Sequence, residues 1–111
     1  MDSILTSVKK MLGITEDYEH FDQDLIMHIN SVFMILNQLG VGPDVSFRIT
    51  GKTETWDQFI DGKTDLDSVK SYMYLKVKLM FDPPQSGIVM NATQEQIREL
   101  EFRLNIADDY E

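Results

Sequence analysis

Two histidines and an aspartate recur at intervals of four residues, a spacing that can bring metal ligands together. On a helix, His20, Asp24 and His28 would share one face, where imidazole nitrogens and a carboxylate can converge on one ion. Asp24 is explained equally well by the helix dipole, which favours negative charge in a first turn. Metal sites in helical bundles take a second carboxylate–histidine motif from another helix, and the chain has none. We therefore predict a packing helix with a solvated polar flank and no bound metal.

A second group of acidic residues lies in the stretch DGKTDLD. Asp61, Asp65 and Asp67 resemble a calcium-binding loop only loosely, because an EF-hand needs oxygen ligands at alternate positions and a final glutamate. A glycine turn followed by a helix cap explains the stretch better. The chain also has no glycine-rich phosphate loop and no nucleophile elbow. We predict that the protein is not an enzyme and uses no catalytic residue, metal or cofactor.

The composition indicates one small folded domain, spanning residues 1–111. The 111 residues are 42% hydrophobic, which is enough to build a core. The 10 Lys and Arg residues are outnumbered by 19 Asp and Glu, and the net charge of -9 argues against general binding to nucleic-acid phosphates. No apolar stretch approaches the roughly 20 residues needed to span a bilayer. Because the chain has no cysteine and its first residues lack the basic region of a signal peptide, we expect an intracellular protein.

Helical periodicity appears in four parts of the chain. The pattern predicts helices over residues 2–12, 21–39 and from 64 or 65 to about 81, with a last helix that begins between 86 and 93. The second of these has the clearest pattern, because its apolar residues recur every three or four positions and form one seam. The seam residues are Leu25, Ile29, Val32, Leu36 and Leu39. The predicted fold is all-α, a small bundle of about four helices.

The segment between the second and third predicted helices follows a different pattern. Around residues 45–56, the stretch VSFRIT alternates apolar and polar residues as a strand does, and Gly51 can turn the chain back. We expect a short β-hairpin or an extended loop there. Trp56 and Phe59 then fit a short helical turn capped by Thr55.

The predicted helix that ends near residue 81 is apolar around more than half of its circumference. A helix of this kind is buried on two sides, either inside the fold or between subunits.

Several of the 7 methionines lie on or near the helix seams. We interpret most of them as core residues, with an adaptable contact surface as the alternative, because a thioether packs against varied shapes.

Five segments of the chain, taken in order, are similar to a known protein family. They are ILTSVKKMLGI, HFDQDLIMHINSVFMILNQLGVGP, TWDQFI, LDSVKSYMYLKVKLMFDPPQSG and QIRELEFRLN. In this combination the chain resembles the small head–tail connector family (adaptor or head-completion proteins) of long-tailed bacteriophages and prophages. The segments are packing and turn signatures rather than catalytic motifs, and the resemblance covers nearly the whole chain.

The resemblance implies a structural protein that assembles with copies of itself. Members of the family form rings, typically of twelve subunits, around a central channel beneath the portal of the DNA-filled head. The ring extends the DNA channel and links the head to the next head-completion protein and the tail, while DNA passes without sequence-specific binding. The expected location is the head–tail junction of the virion, after assembly in the host cytoplasm and without membrane contact. The alternative, from the residues alone, is a small acidic intracellular adaptor or regulatory protein without enzymatic activity.

The residues that would contact a neighbouring subunit or the portal are predicted from their apolar types and their elements. A closed ring needs two different faces of each subunit. The first helix, the stretch around Trp56 and the helix over residues 66–81 are the candidate elements. The candidate interface residues are Ile4, Val8, Trp56, Phe59, Tyr72, Leu75 and Leu79.

Overall fold

The computed structural model describes residues 3–43, 45, 47–59 and 66–109. Within these residues the chain forms five α-helices and no β-strand. The helices are α1 (Ile4–Met11), α2 (Asp22–Gln38), the single turn α3 (Trp56–Phe59), α4 (Leu66–Phe81) and α5 (Gly87–Asp109). The predicted all-α bundle is confirmed. The ends of the first three predicted helices differ from those of α1, α2 and α4 by two residues at most, and α5 begins within the predicted range of 86–93.

Helix α1 is short, and its cap and its packed face hold it in place. The Ser3 hydroxyl accepts a hydrogen bond from the Thr6 amide at 3.2 Å, which satisfies a backbone donor that the first helical turn leaves free. Ile4, Leu5 and Val8 are buried. Because an isolated helix of 8 residues is marginal in water, α1 depends on these contacts with the rest of the chain.

The predicted seam of α2 forms the centre of the core. Leu25, Ile29, Val32 and Leu36 are completely buried, and Leu39 at the helix end is half-buried. These side chains repeat with the period of the helix, so they all point toward the same side. The burial confirms the face that the sequence assigns to the core.

Helix α4 connects the bundle, because it packs on α1, α2 and α5. Its buried side chains are Val69, Tyr72, Met73 and Val77. The molecule measures 40 × 36 × 19 Å, and its smallest dimension corresponds to about two helix diameters. The helices therefore form a flat array in which α4 has α2 and α5 as neighbours.

The segment between α2 and α3 is the extended loop rather than a hairpin, in the residues that the structure describes. A single isolated bridge joins Thr55 to Ser3, and there is no strand ladder. The side-chain amide of Asn30 on α2 takes the place of a strand partner. Its Oδ1 accepts from the Ile49 amide at 2.8 Å, and its Nδ2 donates to the Ile49 carbonyl at 3.0 Å. The backbone at this buried residue is thus paired with α2.

An aromatic cluster fixes the two ends of this loop. The ring of Phe33 on α2 packs against Phe47 and Phe59, with 5.1 and 4.9 Å between ring centroids. Trp56 completes the cluster, with 6.3 Å between its ring centroid and that of Phe33.

Gly42 lies directly against this cluster. It has a φ of +92°, and a Cβ at this position would lie 2.5 Å from the Phe59 ring. Only glycine tolerates both this backbone conformation and this close approach.

Trp56 also connects the loop to α1. Its indole Nε1 donates to the Ser7 hydroxyl at 2.8 Å, and that hydroxyl donates to the Ile4 carbonyl at 3.0 Å. The buried indole has its polar atom satisfied, as buried tryptophans usually do. The loop, α1 and α2 are therefore held as one unit on which α4 packs, and α5 packs on α4.

Candidate interaction surfaces

The spacing of His20, Asp24 and His28 does not produce a cluster in the folded chain. His20 lies in the turn before α2, where its ring packs edge-on against Phe21 with 4.9 Å between ring centroids. Asp24 is exposed and His28 is half-buried. Among the residues that the structure describes, no three histidine, aspartate or glutamate side chains lie close enough together to hold a metal ion.

Two of the three aspartates in DGKTDLD, Asp61 and Asp65, lie outside the described residues. Asp67 is exposed in the first turn of α4, where the helix dipole favours a negative charge. Asp67 also borders the surface groove described below.

Most of the predicted interface residues belong to the core of the single chain. The buried ones, each at most 3% exposed, are Ile4, Val8, Trp56, Phe59 and Tyr72. Leu75 and Leu79 on α4 are half-buried. Leu75 also lines a surface groove. Contact of these seven residues with a partner stays a prediction, because a single chain does not test it.

One hydrogen bond fixes the orientation of α5 against α4. The Tyr72 hydroxyl donates to Glu101 Oε2 at 2.7 Å. Burial raises the pKa of Tyr72, and the hydrogen bond and negative charge of Glu101 raise it further. The phenol therefore stays neutral and keeps its proton for this bond. The bond joins the two helices that border the groove described next.

A groove of about 680 Å³ lies between α4 and α5 and reaches the end of α1. Its apolar lining comes from all three helices and consists of Met11, Tyr74, Leu75 and Leu100. We call it the α4–α5 groove. Its volume falls within the range of about 300–1,000 Å³ that is common for binding pockets, so it can accept several side chains of a partner.

Charged side chains border the α4–α5 groove in equal numbers. Asp67 and Glu99 are acidic, whereas Lys70 and Arg103 are basic. Arg103 Nη2 lies 2.6 Å from Glu99 Oε1, and the ammonium group of Lys70 lies 5.8 Å from the ring centroid of Trp56. The lining is therefore electrically neutral, although the whole chain carries a charge of -9.

A second apolar surface lies on α2, on the side away from the core. Met27 is 60% exposed and Met34 is 58% exposed. They are seven residues apart, so they lie along one line on the helix surface. Together with Ser31 and Arg48 they line a shallow depression of about 510 Å³. We call Met27 and Met34 the methionine ridge.

The start of α5 is a third exposed apolar region. Ile88 is 83% exposed and Val89 is 50% exposed. In the first ten residues of this helix, 87–96, no side chain is buried. The side chains that join the core, Ile97 and Leu104, come later. The first turns of α5 therefore extend past the part of the bundle to which the helix is attached.

The interpretation of most methionines as core residues is wrong. Among the methionines that the structure describes, Met73 is buried, Met90 is half-buried, and Met11, Met27, Met34 and Met80 are exposed. The signal that could have found the ridge is its angular position. Met27 and Met34 lie about half a turn around the helix from the seam that begins at Leu25, when positions advance by about 100° per residue.

No helix in the described part of the chain is both long enough and apolar enough to cross a membrane. The exposed apolar side chains described above form separate patches on α2 and α5. Exposed apolar patches of this kind mark contact surfaces.

Comparison with family models gives a match over almost the whole chain. The model described as "Phage connector protein" matches residues 4–111, a range that contains all five helices and all three exposed surfaces. A search of curated proteins finds no match, and neither does a search of solved structures. The match confirms the resemblance that the sequence segments indicate. The chain belongs to the phage connector protein family.

Proposed function

We propose that this structural phage protein forms a ring beneath the portal of a DNA-filled head, where it extends the DNA channel. On its other side the ring receives the next head-completion protein and then the tail. The protein would occupy the head–tail junction of the virion, after assembly in the host cytoplasm. Membership of the phage connector family over residues 4–111 supports this role.

One structural observation carries the proposal, namely the presence of two apolar surfaces on different faces of the subunit. A closed ring of identical subunits requires a heterologous interface, in which two different faces meet. The α4–α5 groove and the methionine ridge are two such faces. The resemblance to head–tail connectors favours a ring of twelve subunits.

The charge of the chain suits a channel that DNA must cross without sticking. Binding to the DNA backbone requires clustered lysines and arginines that displace counterions from phosphates. Here 19 acidic residues outnumber 10 basic ones, so the mean field of the protein repels DNA. We propose that DNA slides through the ring without sequence-specific contact, and that the protein needs neither a cofactor nor a catalytic residue.

The portal and the head-closure or tail protein would bind along the axis of the ring, above and below it. A surface for such a partner must remain accessible after neighbouring subunits have met. The start of α5 is a suitable candidate, because Ile88 and Val89 are exposed at a helix end that extends past the bundle. We assign this region to an axial partner.

Deletion of the gene from the phage or prophage that encodes it tests the proposal. Electron microscopy of the particles should show heads without tails, many of them emptied of DNA, beside free and complete tails. A plasmid copy of the gene should restore joined particles, which controls for effects on neighbouring genes. Normal infectious particles in the absence of the protein would contradict the connector role and favour the small acidic adaptor.

A further inference from the structure

We infer that the methionine ridge of one subunit binds in the α4–α5 groove of a second copy, and that this pairing is the lateral contact of the ring. The inference rests on the proposed function and specifies which surfaces of the chain meet. It commits to another copy of the chain as the occupant of the groove.

The positions of the two surfaces allow the contact to repeat from subunit to subunit. The ridge lies on the side of α2 that faces away from the core, whereas the groove lies between α4 and α5. Because α4 packs on α2 and on α5, the two surfaces belong to different sides of the helical array. One subunit can therefore use both at once, as a ring requires, and need not stop at a dimer.

The side chains on the two surfaces are matched in chemistry. Met27 and Met34 are separated by about 10 Å along the helix, at a rise of about 1.5 Å per residue. An apolar line of this length on a helix is the feature that hydrophobic grooves recognise. The groove offers Tyr74, Leu75 and Leu100 as its apolar lining. A thioether packs well against an aromatic ring and adapts to an irregular surface.

Charge also favours these two surfaces over others on the chain. Two copies of a protein with a net charge of -9 repel each other, so they must meet where negative charge is absent or balanced. The depression at the ridge includes Arg48 and no acidic residue. The groove carries two acidic and two basic side chains.

The absence of cysteine from the chain makes a direct cross-linking test possible. Two single variants, Met34→Cys and Tyr74→Cys, are produced together from plasmids in cells that carry the phage lacking its own copy of the gene. One of the two carries a small tag, so that a mixed dimer differs in size from a homodimer. Purified particles are oxidised gently and separated on a non-reducing gel. A disulfide requires Cβ atoms within about 3.5–4.5 Å, so a link reports direct contact.

We expect a disulfide-linked dimer that contains one tagged and one untagged chain. The Met27→Cys variant with Tyr74→Cys tests the other end of the ridge, and the inference expects a link from at least one ridge position. A single chain that carries both Met34→Cys and Tyr74→Cys should give a ladder of linked oligomers. As a matched control, Thr53→Cys at an exposed loop position should not link to Tyr74→Cys.

Three results would overturn the inference, and they can be told apart. Particles that contain the protein but give no link from either ridge position would mean that other surfaces meet. Linked homodimers of Met34→Cys alone would mean a symmetric contact between two ridges. A link from Ile88→Cys to Tyr74→Cys, with none from the ridge, would make the start of α5 the occupant. Absence of the protein from purified particles would instead contradict the proposed function itself.

Discussion

The ammonium group of Lys9 lies 2.8 Å from Asp22 Oδ1, in an ion pair that joins the end of α1 to the first residue of α2. Lys9 is only 2% exposed and also donates to the Glu16 carbonyl at 2.9 Å. A lysine is rarely buried to this extent unless it is paired. The same side chain thus holds the turn between the two helices and neutralises a carboxylate near the positive end of the α2 dipole.

Removal of one partner of this ion pair should destabilise the folded chain. We expect Lys9→Ala to lower the free energy of unfolding by about 3–5 kcal/mol, because it leaves the carboxylate of Asp22 without its charge partner in a largely buried position. Urea denaturation measures the change. The neighbouring Lys10→Ala is the control, since Lys10 is exposed and should change stability by no more than about 0.5 kcal/mol. Equal effects of the two variants would show that the ion pair contributes little.

Substitutions at two positions of α2 distinguish its buried core face from the exposed methionine ridge. Leu36→Ala should lower the free energy of unfolding by about 2–5 kcal/mol, because Leu36 is completely buried in the seam. Met34→Ala, two residues earlier on the exposed side, should change it by less than about 0.5 kcal/mol. Thermal or urea unfolding of the two variants measures both values. A loss below about 1 kcal/mol for Leu36→Ala would mean that the seam is not the core face.

Three glycine variants separate backbone strain from steric overlap. Gly42→Ala should destabilise by about 2–4 kcal/mol, because its φ is +92° and the new Cβ would overlap the Phe59 ring. Gly13 has a φ of +82° but open space around it, so Gly13→Ala should cost only about 1–2 kcal/mol. Gly51 has neither constraint, and Gly51→Ala should be nearly neutral. The ranking of the three unfolding free energies is the test, and a Gly42→Ala value no larger than that of Gly13→Ala would contradict it.

The Tyr72–Glu101 hydrogen bond predicts a loss of stability in alkaline solution. The pKa of Tyr72 is raised above its ordinary value of 10.0 in the folded chain, so the folded state retains the phenol proton where the unfolded state loses it. The contribution is therefore fully present below pH 10.0 and is lost as the pH rises further. Unfolding free energies at pH 8 and at about pH 11 should differ more for the natural chain than for Tyr72→Phe. An equal dependence in both would mean that Tyr72 is not the group responsible.

A negative charge on the ridge should block assembly without unfolding the subunit. Met34→Glu places a carboxylate where the inferred contact would have to desolvate it, and we expect the contact to weaken by at least about tenfold. Thr53→Glu, at an exposed loop position away from α2, adds the same charge outside the ridge and is the matched control. The amount of the protein in purified particles and the infectious titre measure the effect. Equal incorporation of both variants would argue against the ridge.

The sequence predicts those parts of the fold that depend on neighbours within one or two helical turns. The seam from Leu25 to Leu36 appears in the sequence because a buried stripe imposes the helical period on residue type. Local signals leave two starting points for the last helix, because Ser86 and Thr93 can both cap a helix. In the structure Thr93 lies inside α5 and its hydroxyl donates to the Val89 carbonyl at 2.9 Å, so Thr93 does not begin the helix.

Contacts between distant residues could not be predicted in the same way. Asn30 pairs with the backbone of Ile49, 19 residues later, and nothing in the local pattern distinguishes it from other polar residues on α2. The same limit applies to the interface. Apolar residue type identified Trp56 and Tyr72 as contact candidates, but type alone does not separate a core contact from a surface contact. Their hydrogen bonds to Ser7 and Glu101 show that both side chains belong to the core. Each of these bonds joins residues that are far apart in the sequence.

The long overhang of α5 has a consequence for how the free subunit exchanges hydrogen with solvent. The first ten residues of this helix bury no side chain, so mainly backbone hydrogen bonds maintain them. Short helical stretches without tertiary contacts open readily, whereas those packed on a core open only with the whole domain. Amide protons near residues 90–96 should therefore exchange much faster than those near Ile97 and Leu104. The difference in protection would disappear once a partner covers the helix end, and exchange at this helix would then report docking directly.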